Sequence, residues 1–313
     1  TVIDLDTAVK AWEEPLCGVF PIRKSINENA HDITYQGKHI SNARFSAIKP
    51  RVFIPVFPGT NCEYDMKRVF EKAGGDVEIF VFKNLTPHDI KDSIKSMTKK
   101  INNSRIIALP GGFSAGDEPD GSGKFIAAVF RNPYVVEAVM ELLNNRDGLI
   151  LGICNGFQAL IKLGLLPYGE IRETDEESPT LTFNKIGRHI SRMVRTKVVS
   201  NLSPWLKNTD VGDVFTIPIS HGEGRLVSNE GVFNEMKKNG QIATQYVDPL
   251  GNASYNGDFN PNGSYQSIEG ITSPDGRIFG KMGHSERIGG NLYKNITGRF
   301  DQKLFEAGID YFK

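Results

Sequence analysis

One stretch of this 313-residue chain limits its fold more than any other: residues 148–164, GLILGICNGFQALIKLG. Leu149, Ile150, Leu151 and Ile153 make a short apolar run suited to a buried strand. The run ends at Gly152-Ile153-Cys154-Asn155-Gly156, and an amphipathic segment over residues 157–163 follows with no loop between. The pattern predicts a strand, a very tight turn and a helix, with Cys154 on the turn. Glycines on either side permit strained dihedrals and leave room around the thiol. A helix N-terminus carries partial positive charge and favours thiolate. The N–H of Asn155 would have no acceptor inside the helix and could stabilise an oxyanion. Gln158, four residues past Cys154, returns to the same helix face and could hold a substrate beside the sulfur. A buried cysteine at an ordinary strand–helix turn is the competing explanation.

The segments before this stretch repeat its logic. Residues 51–57 (RVFIPVF) suit a strand buried on both faces, although Pro55 within it is an objection. Pro58-Gly59-Thr60-Asn61 is a turn, and residues 62–73 are helical up to Gly74-Gly75. Residues 77–82 form the next strand. Thr86 and Pro87 open a helix running to about Lys99, as N-cap and first helical residue. Residues 105–109 give a third strand, and helices follow over 122–131 and 133–143. Strand and helix in alternation predict an α/β fold with a parallel sheet and right-handed crossovers. Past Gly164 the pattern turns to β: strands near 193–200, 214–219, 224–227, 242–246, 268–272 and 278–282. Gly276 marks a hairpin between the last two, and a helix over 300–311 closes the chain.

Residues 1–49 have no sustained period beyond a short helix over 6–14, and they read as a linker or docking segment ahead of a 50–313 domain. Charge excludes other classes. Thirty-seven basic and 37 acidic residues balance at zero, so neither nucleic acid nor an anionic membrane is the expected partner. No apolar run could span a bilayer and no signal peptide is visible, so a cytoplasmic protein is expected. Cys17, Cys62 and Cys154 are scattered without a C-x-x-C pair, which speaks against a zinc site or a disulfide framework.

A cysteine nucleophile needs a histidine to carry protons and a group to orient it. In extended chain His284 and Glu286 project to one side, so the carboxylate could hold Nδ1–H and leave Nε2 toward the sulfur. His221 and Glu223 repeat the spacing, and pattern alone does not separate the two. His189, among basic and apolar neighbours, is weaker. The third strand runs into Pro110-Gly111-Gly112-Phe113-Ser114-Ala115-Gly116-Asp117, at the edge where open parallel sheets bind ligands. It lacks G-x-x-x-x-G-K-[ST], so a second oxyanion donor is preferred over a phosphate cradle.

Taken together, G-I-C-N-G-F-Q at 152–158, G-G-F-S-A-G-D at 111–117 and H-S-E at 284–286 resemble class I glutamine amidotransferases. Within that class the chain resembles the glutaminase domains of the phosphoribosylformylglycinamidine synthases of purine biosynthesis, large single-chain type. Gly59-Thr60-Asn61-Cys62-Glu63, His221-Gly222-Glu223-Gly224-Arg225, Asn260-Pro261-Asn262-Gly263-Ser264 and Gly283-His284-Ser285-Glu286-Arg287 carry that closer likeness. Gly283 departs from it, since the family more often reads proline there.

The resemblance implies a flavodoxin-like sheet, Cys154 as nucleophile, His284 as base and Glu286 as its orienter. Gly112 and Asn155 become the oxyanion donors, Gln158 a glutamine contact, and His221 a structural or gating residue. It implies ammonia release through a γ-glutamyl thioester and delivery to a synthetase domain of the same polypeptide, of which this chain would be the C-terminal piece. ATP and magnesium would belong to that missing part, with no cofactor or metal in this chain. Asp117-Glu118-Pro119-Asp120-Gly121 differs from the arginine-bearing loop of small stand-alone subunits. A free-standing γ-glutamyl hydrolase or peptidase and a non-catalytic binding module are the alternatives.

Overall fold

The computed structural model describes residues 3–16, 30–37, 42–114 and 123–313. Cys17, His39, the loop 117–121 and the expected helix start at Ser122 lie outside the described residues. Helix α1 (Leu5–Glu13) is followed, from Lys49-Pro50 onward, by β1 (Arg51–Val56), α2 (Glu63–Lys72), β2 (Asp76–Val81), α3 (Pro87–Asn102) and β3 (Ile106–Leu109). Next come α4 (Lys124–Phe130), α5 (Pro133–Asn145), β4 (Leu149–Ile153), α6 (Asn155–Lys162) and α7 (Leu165–Tyr168). The second half contains β5 (Thr180–Thr182), β6 (Ile190–Val198), β7 (Val214–His221), β8 (Arg225–Val227), α8 (Glu230–Lys238), β9 (Ile242–Tyr246), β10 (Ile268–Thr272), β11 (Ile278–Lys281) and α9 (Leu304–Asp310).

Among the described residues, nine strands form one sheet in the order β2-β1-β3-β4-β11-β10-β9-β6-β7. The pairs from β2 through β1, β3 and β4 to β11 are parallel, and those from β11 to β7 are antiparallel. The α/β, flavodoxin-like sheet with added antiparallel strands is therefore the architecture observed. Alternating direction from β11 onward makes β7 run the same way as β4. The carboxyl ends of β1, β3, β4, β11 and β7 thus share one edge.

Local chemistry explains the elements. Val52, Phe53, Ile54, Ile106, Ile107, Leu149 and Leu151 are fully buried, as strands covered on both faces require. Pro55 is tolerated in β1 because β1 is in register with β3 only at Val52 and Phe53, short of the proline. Thr86 caps α3 in a reciprocal box: its side chain accepts from Asp89 N–H, and the Asp89 carboxylate accepts from Thr86 N–H. Helices α3, α5, α4 and α6 pack in succession, whereas α2 packs on α9, with Phe70 edge-on to Phe305 at 5.0 Å. Gly276 closes the β10–β11 hairpin with a positive φ of 72°. The closing helix is shorter than its pattern, since Lys303 in the left-handed region starts it late. Helix α8 and strand β5 escaped the sequence reading. The α8 segment buries only Phe233 and Met236, too few apolar positions to set a period. No helix among the described residues is long and apolar enough to cross a membrane.

Candidate active site

Cys154 stands between β4 and α6 with φ 52° and ψ −105°, a conformation L-residues rarely adopt. The distortion is held from both sides: Cys154 N–H donates to Lys281 O at 2.8 Å, and Cys154 O accepts the first helical bond from Gln158 N–H at 3.0 Å. The result is a sharp elbow that lifts the thiol to the carboxyl edge. Asn155 is the first helical residue, so its N–H has no acceptor in the helix. Its side chain is buried, accepting from Ser114 N–H at 3.3 Å and donating to Gln158 Oε1 at 3.1 Å. Gln158 in turn donates to the Glu223 carbonyl, tying α6 to the turn after β7.

The loop after β3 crosses directly over this elbow. A Cβ at Gly111 would lie 2.7 Å from His284 Cε1 and 3.5 Å from both Cys154 Cβ and Cys62 Sγ. Only glycine fits where nucleophile, histidine and second cysteine converge. Gly112 has φ 134°, and a Cβ there would meet Asn61 N at 2.5 Å and Gly59 O at 2.6 Å. Its backbone bridges to Thr60 in the loop after β1.

His284 and Glu286 are not in extended chain, contrary to the geometry assumed from spacing. They sit in a turn after β11, in which Ser285 N–H bonds Gly283 O and Arg287 N–H bonds His284 O. The turn still brings the carboxylate to the imidazole: His284 Nδ1 lies 2.6 Å from Glu286 Oε1, both side chains being buried. Such a pair holds the proton on Nδ1 and leaves Nε2 as the working nitrogen. His284 Nε2 is buried without a hydrogen-bond partner, as is Glu286 Oε2. Burial works against charge on His284, but the Glu286 carboxylate outweighs it, and the nearby Cys154 and Cys62 thiols add to the effect. His284 therefore stays protonated well above its ordinary range. Burial pushes the Glu286 carboxyl up, yet the His284 charge and hydrogen bond bring it below the usual carboxylate value. Arg68 of α2 holds the same turn from outside, donating to the carbonyls of Glu286 (3.2 Å) and Ile288 (2.7 Å).

His221 ends β7 and reaches the same edge, but its Nδ1 faces Asn184 Oδ1 at 3.1 Å, not a carboxylate. Burial, and the charges of His284 and His189, lower its pKa to about 3, so it is neutral. The spacing shared with Glu223 therefore does not give His221 a carboxylate on Nδ1, whereas His284 has one. His189 bonds Ser220 Oγ through Nε2 at 3.1 Å, and Cys154 Sγ lies 3.8 Å from the Ser220 carbonyl.

Two groups at this site were not singled out by chemistry in the sequence. Cys62 caps α2 with φ 88° and is buried. Arg287 Nη2 donates to its sulfur at 3.1 Å, and His284 Nδ1 lies 4.0 Å away. The available signal was positional: Cys62 follows the carboxyl end of β1 as Gly111 follows that of β3. Ligand atoms of Cys62, His284 and Glu286 lie within 4.8 Å of one another, which is close enough for a metal. They are already committed, however, with Nδ1 on the carboxylate and a guanidinium on the sulfur. A cation already fills the place a metal's charge would take, so the cluster is read as part of a hydrolytic site.

A strained cysteine elbow beside a buried His–carboxylate pair, under the Gly111-Gly112 loop at the carboxyl edge of an α/β sheet, is the layout of a cysteine-nucleophile site. The chain belongs to the CobB/CobQ-like glutamine amidotransferase domain family, whose model matches residues 49–312. It is thus an enzyme of the glutaminase kind. It is 38% identical over 244 residues to phosphoribosylformylglycinamidine synthase subunit PurQ of Methanococcus maripaludis (strain S2), covering 77% of this chain and 83% of that protein. It is 34% identical over 250 residues to the subunit PurQ of Aquifex aeolicus, covering 78% of this chain and 93% of that one. The structure of PurLQS from Thermotoga maritima superposes with a TM-score of 0.61 at 28% identity, over 85% of this chain and all (100%) of that chain.

Proposed function

We propose that this protein hydrolyses glutamine at Cys154 and passes the ammonia to an ATP-dependent synthetase that converts formylglycinamide ribonucleotide to formylglycinamidine ribonucleotide. The observation that carries the reading is the Cys154 elbow set beside the buried His284–Glu286 pair. Relatives that are synthase subunits favour it over a free-standing γ-glutamyl peptidase.

In the proposed reaction the Cys154 thiolate attacks the side-chain amide carbon of glutamine. The N–H groups of Asn155 and Gly112 receive the charge that develops on the carbonyl oxygen. Protonated His284 gives its proton to the departing nitrogen, ammonia leaves, and a γ-glutamyl thioester remains on Cys154. Neutral His284 then takes a proton from water as that water attacks the thioester. Glutamate leaves, and the Cys154 thiolate and protonated His284 are restored. Glu286 keeps the imidazole in one orientation and stabilises its charged form. Gln158 is engaged with Asn155 and Glu223, so its part is to place the pocket wall against the substrate.

Residues 1–49 are proposed as the docking segment toward the synthetase, its later part anchored on the glutaminase domain of residues 50–313 by the buried Ile33 and by Ala43 and Ala47 N–H on the carbonyls of Tyr311 and Phe312. Leu5, Val9 and Trp12 repeat at helical spacing along α1, and all three side chains are exposed, an apolar stripe suited to a partner surface. On this reading ATP and magnesium are bound by the synthetase, and the work is done in the cytoplasm.

The test is peptide-mapped mass after incubation with a diazo-ketone analogue of glutamine, for this chain alone and together with its synthetase. A single adduct on Cys154, blocked by excess glutamine and missing in Cys154→Ala, is expected. A folded protein that acquires no adduct in either setting would overturn the proposal.

A further inference from the structure

Behind the acid–base turn lies an ion pair that the hydrolytic steps leave unused. Lys281, the last residue of β11, and Glu269 of β10 are both wholly buried. Lys281 Nζ donates to Ser285 Oγ at 2.7 Å, to Gln302 Oε1 at 2.9 Å and more weakly to Gly283 O at 3.4 Å, and lies 3.4 Å from Glu269 Oε1. All three of its donors therefore have an acceptor. Glu269 uses both oxygens: Oε1 accepts Gly283 N–H at 2.7 Å, and Oε2 accepts the Thr244 hydroxyl.

The bonds of this pair end on the catalytic turn. Gly283 and Ser285 are the residues on either side of His284, and Glu286 follows Ser285. One member of the pair grips the turn through a backbone N–H, the other through a side-chain hydroxyl. The first grip needs a backbone N–H at 283, which every residue but proline supplies. Proline has no N–H and would leave Glu269 Oε1 without that donor. Packing alone gives little reason for the pair, since buried ion pairs are often matched or bettered by apolar residues of the same volume.

We propose that Lys281 and Glu269 are positioning residues of the acid–base turn, holding His284 Nε2 toward Cys154 while Nδ1 stays on Glu286. The inference deepens the glutaminase reading and rests on it only for the reaction served.

Two variants of the full chain test it. Ser285→Ala removes the shorter of the two contacts through which Lys281 reaches the turn, leaving the 3.4 Å one to Gly283 O. Lys281→Met with Glu269→Gln removes both charges together, so neither is left buried alone. Four quantities are read: the far-downfield proton resonance of His284 Nδ1–H on Glu286, the rate of Cys154 labelling by the diazo-ketone analogue, its rate of alkylation by iodoacetamide, and the KM for glutamine. In folded variants the resonance is expected to broaden or vanish. Both rates should fall about 10- to 100-fold, as for a reacting group displaced by about an ångström. The KM for glutamine should stay as in the unmodified protein. A sharp resonance at the original position, or rates within about twofold of the original, would overturn the proposal. If the double variant does not fold, Ser285→Ala decides alone. If the unmodified protein reacts with iodoacetamide but, both alone and with its synthetase, not with the glutamine analogue, the glutaminase reading falls. The brace is then still judged by the resonance and the alkylation rate.

Discussion

Replacing Glu286 by glutamine tests the electrostatic part of the site at nearly constant shape. The amide can still accept from His284 Nδ1, now 2.6 Å from the carboxylate oxygen, but it carries no charge. Two unit charges about 4 Å apart at an effective dielectric of about 20 attract by about 4 kcal/mol. A neutral hydrogen bond recovers about 1 kcal/mol of this. The imidazolium should therefore lose about 2–3 kcal/mol of support, where each 1.36 kcal/mol is about tenfold in rate. The Glu286→Gln protein is expected to form the Cys154 adduct about 30- to 150-fold more slowly, with half-saturation by glutamine unchanged. Rapid-quench labelling with the diazo-ketone analogue, read by mass, supplies both numbers. A variant that keeps half the original rate would refute the argument. It would mean that the fixed ring orientation, or the Cys62 sulfur 4.0 Å from the same nitrogen, suffices without the carboxylate charge.

Three further outcomes follow from the same geometry. An unfolded chain protonates His221 near pH 6.5, whereas the folded protein resists until about 3, so this residue's stabilisation is full above pH 6.5 and drains away as pH falls. Between pH 6.5 and pH 4 the loss is about 3 kcal/mol, and His221→Asn should flatten that part of the urea-midpoint profile; a profile as steep as the original would contradict it. Gly112→Ala forces a side chain into φ 134° and onto Asn61 N, so melts should show a loss of about 1–3 kcal/mol with slower Cys154 labelling; an unchanged melt would exclude the close approach. Thr86→Ala removes the reciprocal cap of α3 and should cost about 1 kcal/mol in denaturant while leaving Cys154 labelling at the original rate.

What could be read from the letters was whatever is local. The apolar run into Gly152-Ile153-Cys154 marked the elbow, and β9 and β10 fall on the residues 242–246 and 268–272 read as strands. The cap at Thr86 and the hairpin at Gly276 were legible for the same reason: each is one turn's chemistry. Helix α8 was hidden because it buries only two side chains, and β5 because three residues carry no period. The extended geometry assumed for His284 and Glu286 failed because β11 stops at Lys281, where the side chain turns inward to Glu269. No pattern within the 281–287 stretch could announce a partner on another strand.

The same limit explains why two histidines with identical spacing to a glutamate were indistinguishable. An H-x-E pair becomes an acid–base pair only if nothing else claims Nδ1. At His221 the claim comes from Asn184, which also donates to the His221 carbonyl at 2.8 Å and accepts from Gly224 N–H at 3.2 Å. That residue lies 37 positions upstream, in a segment with no marked role. At His284 the flanking groups are used up elsewhere, Gly283 on Glu269 and Ser285 on Lys281, so the glutamate is left to the imidazole. Sheet direction then completes the choice. The ends of β1, β3, β4 and β11 bring Cys62, Gly111, Cys154 and His284 to one point, while β7 delivers His221 beside them, neutral and without a carboxylate on Nδ1. A residue's part in this site is thus decided by which bonds its neighbours have already spent, a property of the folded contacts and not of the motif.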